Sequence, residues 1–338
     1  MTPFTSTGLK MDSKGLWLLD QTQLPHSEIW VACPDSDTMI QHIRELKVRG
    51  APLIGVAAAL QLGVMAEKGA DESTLEKSLW ALREARPTAV NLMNAMDRML
   101  RTLKTKGAKA LVGESESICH EDVELADAMA KNGASLIQSG DRLLTHCNTG
   151  GLATVGIGTA LGVAIQAHRD DKKIHVYVDE TRPLLQGGRL NTWECAKNGV
   201  PYTLICDNMA AFLMQKGKVD RVLVGADRIA RNGDFANKIG TYGLAVSCKF
   251  HGVPFYVVAP QTTVDVNCAS GADIPVEERS PQEVRGAKGS FGQVEWAASG
   301  SEVWNPAFDV TPNALVTAWV MDRGVFTVED VRSGALIP

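Results

Sequence analysis

The sequence predicts an α/β protein with a parallel sheet in its C-terminal part and a smaller, mainly helical N-terminal part opened by a short β-hairpin. Three observations carry this. After Gly140, short β-branched runs alternate with helical stretches, the rhythm of βαβ units. Before it, apolar residues recur mostly at helical spacing. A chain of 338 residues also exceeds what one hydrophobic core commonly supports, which favours two unequal domains.

Residues 15–20 and 28–33 are short apolar runs on either side of a polar stretch containing Pro25, and they read as the hairpin. From Asp37, which stands at an N-cap position, Met39, Ile40, Ile43 and Leu46 follow helical spacing. Arg49-Gly-Ala-Pro52 ends that pattern. Helices are expected over 54–68 and 73–85, after Pro87, and along 114–139. Strands are expected over 143–147, 174–179, 202–206, 221–224 and 254–258. No Pro/Gly/Ser-rich stretch separates the two parts, so a helix rather than a flexible linker should join them, between 118 and 140. This places the domains at 1–125 and 126–338.

Apolar residues make up 45%, charged residues 22%, and the net charge is −5, a profile of soluble globular proteins with no basic surplus for nucleic acid. The first ten residues lack a signal-peptide apolar core, and no stretch reaches the roughly 18 apolar residues of a spanning helix. A cytoplasmic protein without a membrane partner is expected. The seven cysteines are odd in number and lack CxxC spacing, so they suggest neither a disulfide framework nor a zinc site. The histidines show no HExxH or other ligand pairing, and the expected chemistry needs no metal and no cofactor.

Ligands of an open parallel sheet bind beyond the carboxyl ends of its strands. Here those ends read His146-Cys147-Asn148, Asp179-Glu180-Thr181-Arg182, Cys206-Asp207-Asn208 and Gly225-Ala226-Asp227-Arg228, so acids, amides and a thiol converge on one edge. Cys147 precedes Asn148-Thr149-Gly150-Gly151 and a helical run over 152–168, whose start would favour a thiolate or cradle a phosphate. A buried structural cysteine is the alternative. Asp227 follows the apolar run Val222-Leu-Val-Gly-Ala226, surroundings that raise a carboxyl pKa toward proton transfer; an ion pair with Arg228 or a helix cap is the alternative. Asn237-Lys238, Arg49 and Arg86 suit sugar hydroxyls and phosphate, although each alone is equally a surface residue. His146, a strand neighbour of Cys147, should point to the opposite face and is a poor base for it.

Arg49-Gly-Ala-Pro52, Arg86-Pro-Thr-Ala-Val-Asn-Leu92, Thr145-His-Cys-Asn148, Glu180-Thr-Arg-Pro183 with Gln186-Gly187 and Arg189, Gly225-Ala-Asp-Arg228 and Asn237-Lys-Ile-Gly-Thr-Tyr242 together resemble the methylthioribose-1-phosphate isomerases. Ile274-Pro-Val-Glu-Glu-Arg279 and Asn305-Pro-Ala-Phe-Asp-Val-Thr-Pro312 extend the likeness nearly end to end. The resemblance implies a helical N-terminal domain on a Rossmann-like catalytic domain, a fold shared with regulatory subunits of the translation-initiation exchange factor and with ribose-1,5-bisphosphate isomerases. It also implies a homodimer, a sugar-phosphate substrate and a place in methionine salvage or in 5-deoxyribose disposal. Arg49, Gly50, Ala51, Arg86, Gln186, Asn237 and Lys238 would bind substrate, Asp227 would be the acid, and Cys147 the second catalytic group. Leu53, Thr149-Gly150-Gly151 and Gln261-Thr262-Thr263 depart from the family pattern beside the expected pocket. A pocket accepts hydrogen in place of methylthio for only about 1–3 kcal/mol, so 5-deoxyribose 1-phosphate is expected as a second or even the principal substrate.

A ribose 1-phosphate is locked as a glycosyl phosphate, so its ring must open with the phosphate attached, which demands an acid at the ring oxygen. By the resemblance Asp227 supplies it. Cys147 would then move a proton from C2 to C1, or stabilise charge during a hydride shift. A ribose-1,5-bisphosphate isomerase would need further cations, and a regulatory homologue that binds without turnover would have no use for both Cys147 and Asp227.

Overall fold

The computed structural model describes residues 1–86 and 89–337. Pro87 and Thr88, within the 86–92 motif, and Pro338 lie outside the described residues. Strands β1 (Phe4–Thr5), β2 (Leu9–Asp12), β3 (Gly15–Leu19) and β4 (Trp30–Cys33) form an antiparallel sheet in chain order. Its β3–β4 half is the hairpin expected from sequence. Leu9, Met11, Leu16 and Leu18 alternate onto the buried face, the period of two that a half-covered sheet requires.

Helix α1 (Ser36–Arg44) begins ahead of the expected start. Asp35, not Asp37, is the N-cap, its carboxylate accepting the Thr38 amide at 2.8 Å, and Asp37 lies in the first turn, where its charge still favours the helix dipole. Then follow α2 (Ala51–Glu67), α3 (Glu72–Arg83), α4 (Val90–Lys106) and α5 (Ala110–Ala134). Helix α2 is apolar all round and is covered on nearly every side, which makes it the centre of the N-terminal core. Leu111, Ile118 and Cys119 of α5 join that core, while Ala126, Met129 and Ala134 pack on the parallel sheet, so one helix carries the chain from one core to the other.

Next come β5 (Arg142–His146), α6 (Ala160–Arg169), β6 (His175–Asp179), α7 (Thr192–Lys197), β7 (Tyr202–Ile205), α8 (Ala210–Gln215) and β8 (Arg221–Val224). They are followed by β9 (Arg228–Ala230), β10 (Phe235–Lys238), α9 (Thr241–His251), β11 (Phe255–Val258), β12 (Val264–Asp265), α10 (Gln282–Arg285) and the hairpin β13 (Gly286–Gly289) and β14 (Gly292–Glu295). Strands β15 (Phe308–Thr311), β16 (Ala318–Met321) and β17 (Gly324–Phe326) and helix α11 (Val328–Arg332) complete the chain. The main sheet has the order β17-β16-β11-β8-β5-β6-β7, parallel except at the β17 edge. The result is a mixed α/β fold with a parallel sheet and helices, as the sequence predicts. From β5 the chain moves outward through β6 and β7, then returns to lay β8 on the other side of β5. The switch point of the sheet therefore falls between β5 and β8, where a crevice opens at the strand ends.

A second sheet, β12-β9-β10-β15, sits beside that crevice and brings Asn237 and Lys238 at the end of β10 toward it. The helix expected over 152–168 begins only at Ala160. Residues 151–159 form a loop instead, strapped by distant carboxylates. Glu194 accepts from the amides of Gly151 (2.6 Å) and Leu152 (3.2 Å), and Asp122 accepts from that of Val155 at 2.6 Å. No helix among the described residues is long and apolar enough to cross a membrane.

Candidate active site

Cys147 follows β5 and Asp227 follows β8 by three residues, so the two flank the switch point. Cys147 has φ of 71°, a left-handed conformation uncommon away from glycine. Its amide donates to Thr181 Oγ1 at 2.9 Å and its carbonyl accepts from Asn191 Nδ2 at 2.7 Å, contacts that hold the turn. This turn breaks strand alternation, so Cys147 and Asn148 both line one small cavity. The thiol does not sit directly at a helix start, as the sequence suggested, because α6 begins beyond the strapped loop.

The cavity, of about 50 Å³, is walled by Arg49, Gly50, Ala51 and Arg86 from the N-terminal part and by Cys147, Asp227, Asn237 and Lys238 from the sheet ends. Gln186, fully buried, donates through Nε2 to Cys147 Sγ at 3.5 Å. All nine residues singled out in the sequence thus gather around one point. Asp227 does not pair with Arg228, whose guanidinium meets Asp265 at 3.4 Å. Lys238 is no surface lysine: it is buried, donates to the Ala307 carbonyl at 2.7 Å and lies 4.2 Å from the Phe308 ring centroid. Phe308 also lines the cavity, and its one sequence signal was the 305–312 motif.

Burial shapes the charges. Loss of water raises the Asp227 carboxyl above its ordinary range, opposed by the nearby charges of Lys238, Arg86 and Arg49. Burial lowers Lys238 to about 8, against the pull of Cys147 and Asp227, and lowers Arg49 to about 10. The pocket combines cations with a carboxyl that burial pushes upward. Arg86 has a partner 3.7 Å away in Glu277.

The same strand ends deliver a second cluster, whose members the sequence placed on one edge but whose pairing it did not show. His146 Nδ1 meets Asp179 Oδ2 at 3.0 Å, and its Nε2 donates to the Ile239 carbonyl at 3.0 Å. Asp207 lies behind, its two oxygens accepting from the amides of Thr181 and Arg182 at 2.7 Å each. Although His146, Asp179 and Asp207 are close enough to share a metal, a ring with both nitrogens engaged as donors has no lone pair to offer one. Burial opposes the His146 charge, but the hydrogen bond and charge of Asp179, with Asp207 and Cys147, raise it to about 9. Both ring nitrogens of His146 are taken up by Asp179 and Ile239, and its imidazolium ties β5 and β6 to the turn that follows Lys238.

Much larger cavities lie elsewhere. One of about 700 Å³ is bounded by α4, α5 and residues 261–267, and another of about 610 Å³ lies beside Leu184, Leu185 and the β13–β14 hairpin. Neither collects the thiol and the acid, and chemistry rather than size identifies the site. Arg49 lines both the 610 Å³ cavity and the small one, which by itself has room for only one or two waters.

The Initiation factor 2 subunit family matches residues 47–328. Methylthioribose-1-phosphate isomerase of Cronobacter sakazakii is 55% identical over 335 residues, 99% of each chain. That of Klebsiella pneumoniae is 54% identical, covering 100% of this chain and 99% of its own. The crystal structure of 5-methylthioribose 1-phosphate isomerase from Pyrococcus horikoshii superimposes with a TM-score of 0.88 at 38% identity, covering 100% of this chain and 99% of that one. The structure of translation initiation factor eIF-2B, subunit delta, from A. fulgidus gives 0.83 at 41% identity over 97% and 100%. The chain belongs to the Initiation factor 2 subunit family and, within it, to the methylthioribose-1-phosphate isomerases.

Proposed function

We propose that this chain is an aldose–ketose isomerase converting 5-methylthio-D-ribose 1-phosphate to 5-methylthio-D-ribulose 1-phosphate, with 5-deoxy-D-ribose 1-phosphate as a second substrate. One observation carries the reading: a thiol and a raised carboxyl flank the switch point inside a cation-lined cavity, in a chain 55% identical end to end to an isomerase of that name.

Arg49, Arg86 and Lys238 would bind the phosphate, and the Gly50 and Ala51 backbone at the start of α2 would meet its oxygens. Asn237 and Gln186 would hold the ring. Asp227, protonated, gives its proton to the ring oxygen as the bond from C1 to that oxygen breaks. The Cys147 thiolate takes the C2 proton, and the electrons of the C2–H bond form the C1=C2 bond of an enol phosphate. Cys147 then returns its proton to C1, and the 2-hydroxyl proton passes to the Asp227 carboxylate as C2 becomes a carbonyl. Both groups end as they began. In a hydride shift from C2 to C1, Asp227 plays the same part and Cys147 only stabilises charge.

Cys147→Ser and Asp227→Asn should each lower kcat by about 10³-fold or more with KM little changed, the mark of groups that act in the transition state. Unchanged turnover in either variant removes its role. Deuterium at C2 that washes into solvent indicates the proton route, and complete retention the hydride route.

A regulatory reading, binding without turnover, is favoured by the likeness to the A. fulgidus subunit alone. We also infer a cytoplasmic homodimer of two-domain chains, 1–125 and 126–338. Supporting the dimer, the edge strand β7 exposes Tyr202 and Leu204, α8 exposes Phe212, and α9 exposes Phe250 at 84%. A monomer mass by light scattering overturns that inference.

A further inference from the structure

Asn148 is about nine-tenths buried and lines the cavity next to Cys147, yet neither Oδ1 nor Nδ2 of its side chain has a hydrogen-bond partner among the described residues. Buried amides are ordinarily satisfied, and each bare polar atom is a cost to the free protein. The turn at Cys147, held by Thr181 and Asn191, is what keeps the amide facing the cavity. Around the same space, Asn237 is already bonded to Thr241 at 3.0 Å, and Arg49, Arg86 and Lys238 supply the cations.

An amide with both its acceptor and its donors free is matched by a group that both donates and accepts. A phosphate oxygen accepts only and would face Oδ1 unfavourably, whereas a hydroxyl can meet either atom in turn, donating to Oδ1 or accepting from Nδ2. We propose that Asn148 is a catalytic residue that grips the 2-hydroxyl of the sugar phosphate, a role that rests on the isomerase reading. The neighbouring thiol works at C2, and in so small a cavity the oxygen on C2 is the hydroxyl within reach of residue 148.

The grip follows the reaction. In the ground state the 2-hydroxyl donates to Oδ1. The hydroxyl then turns its proton from Oδ1 to the Asp227 carboxylate, and as C2 becomes a carbonyl the same oxygen accepts from Nδ2. Asn148 neither gains nor loses a proton. Its contact strengthens as charge develops on that oxygen, which lowers the barrier rather than merely tightening binding.

The test compares wild-type protein with Asn148→Ala in three measurements: turnover of 5-methylthioribose 1-phosphate, inhibition by 2-deoxyribose 1-phosphate, and melting of the free protein. Removing a donor to a developing oxyanion should lower kcat/KM by about 10²-fold or more. The inhibition constant of the 2-deoxy compound, which lacks the gripped group, should stay within about threefold. Because the amide has no partner to lose, the variant should melt at the same temperature or higher. A kcat/KM near that of wild type overturns the proposal, as does inhibition weakened as much as turnover, or a lower melting temperature that accounts for the loss. Absent turnover in the wild type would instead overturn the isomerase reading from which the proposal starts.

Discussion

His146 gives the sharpest physical prediction. It is 1% exposed and bonded to the Asp179 carboxylate and the Ile239 carbonyl, so it carries its charge in the folded protein to about pH 9, against 6.5 for an ordinary imidazole. A folded-state pKa above the unfolded one means that the folded protein holds the extra proton between those values. The stabilisation is complete below pH 6.5 and disappears as pH rises through 9. At 1.36 kcal/mol per pH unit, that interval corresponds to about 3 kcal/mol. The comparison should be with the double variant His146→Gln/Asp179→Asn, since removing His146 alone would leave Asp179, already raised to about 6 by burial, to titrate in its place. Asp207, Asp309 and Cys147 also face the ring and remain in both proteins. Denaturant unfolding at pH 6.5 and above 9 should show the stability difference between the two proteins shrinking by about 3 kcal/mol as pH rises. A difference independent of pH would mean a neutral ring and would refute the imidazolium.

Gly50 has φ of +107°, and a Cβ there would lie 2.4 Å from the Ala153 Cα. Gly50→Ala should cost about 2–4 kcal/mol of stability by denaturant titration and raise KM, because Arg49 moves with the turn. Lys238, lowered to about 8, is charged below that pH and loses its charge above it, so KM should climb by up to about tenfold per pH unit above 8 while kcat holds. Lys238→Met should have a high KM at every pH and no inflection near 8.

Much of this was legible from residue order. Strand ends can be read because a β-branched run followed by a polar triplet announces both the strand and the residue it delivers, and Cys147 and Asp227 were found that way. The 151–159 loop misled because its apolar residues run without a break into the helical spacing of 160–168. What unmakes the helix is a pair of carboxylates, Asp122 and Glu194, that only the folded chain brings near. Burial pushes Asp122 to about 6 and Glu194 to about 7, states that no local pattern encodes. Strands β9, β10, β12 and β15 are short and mix polar residues into their runs, unlike the apolar β8 and β11. The burial of Lys238 therefore depended on Phe308 and Ala307, tens of residues away in the sequence. Asn148 was in plain view beside Cys147, but its lack of partners is a property of three dimensions.

The most direct test is turnover by the purified protein, with no metal added, on 5-methylthioribose 1-phosphate, 5-deoxyribose 1-phosphate and ribose 1,5-bisphosphate, scoring the ketose phosphate formed. We expect the first two to be converted and the third to be poor, since Arg49, Arg86 and Lys238 line one small cavity and a second phosphate would need further cations. Conversion of the bisphosphate in preference to the others would move the chain to a different isomerase, and binding without conversion of any of the three would contradict the catalytic pairing of Cys147 and Asp227.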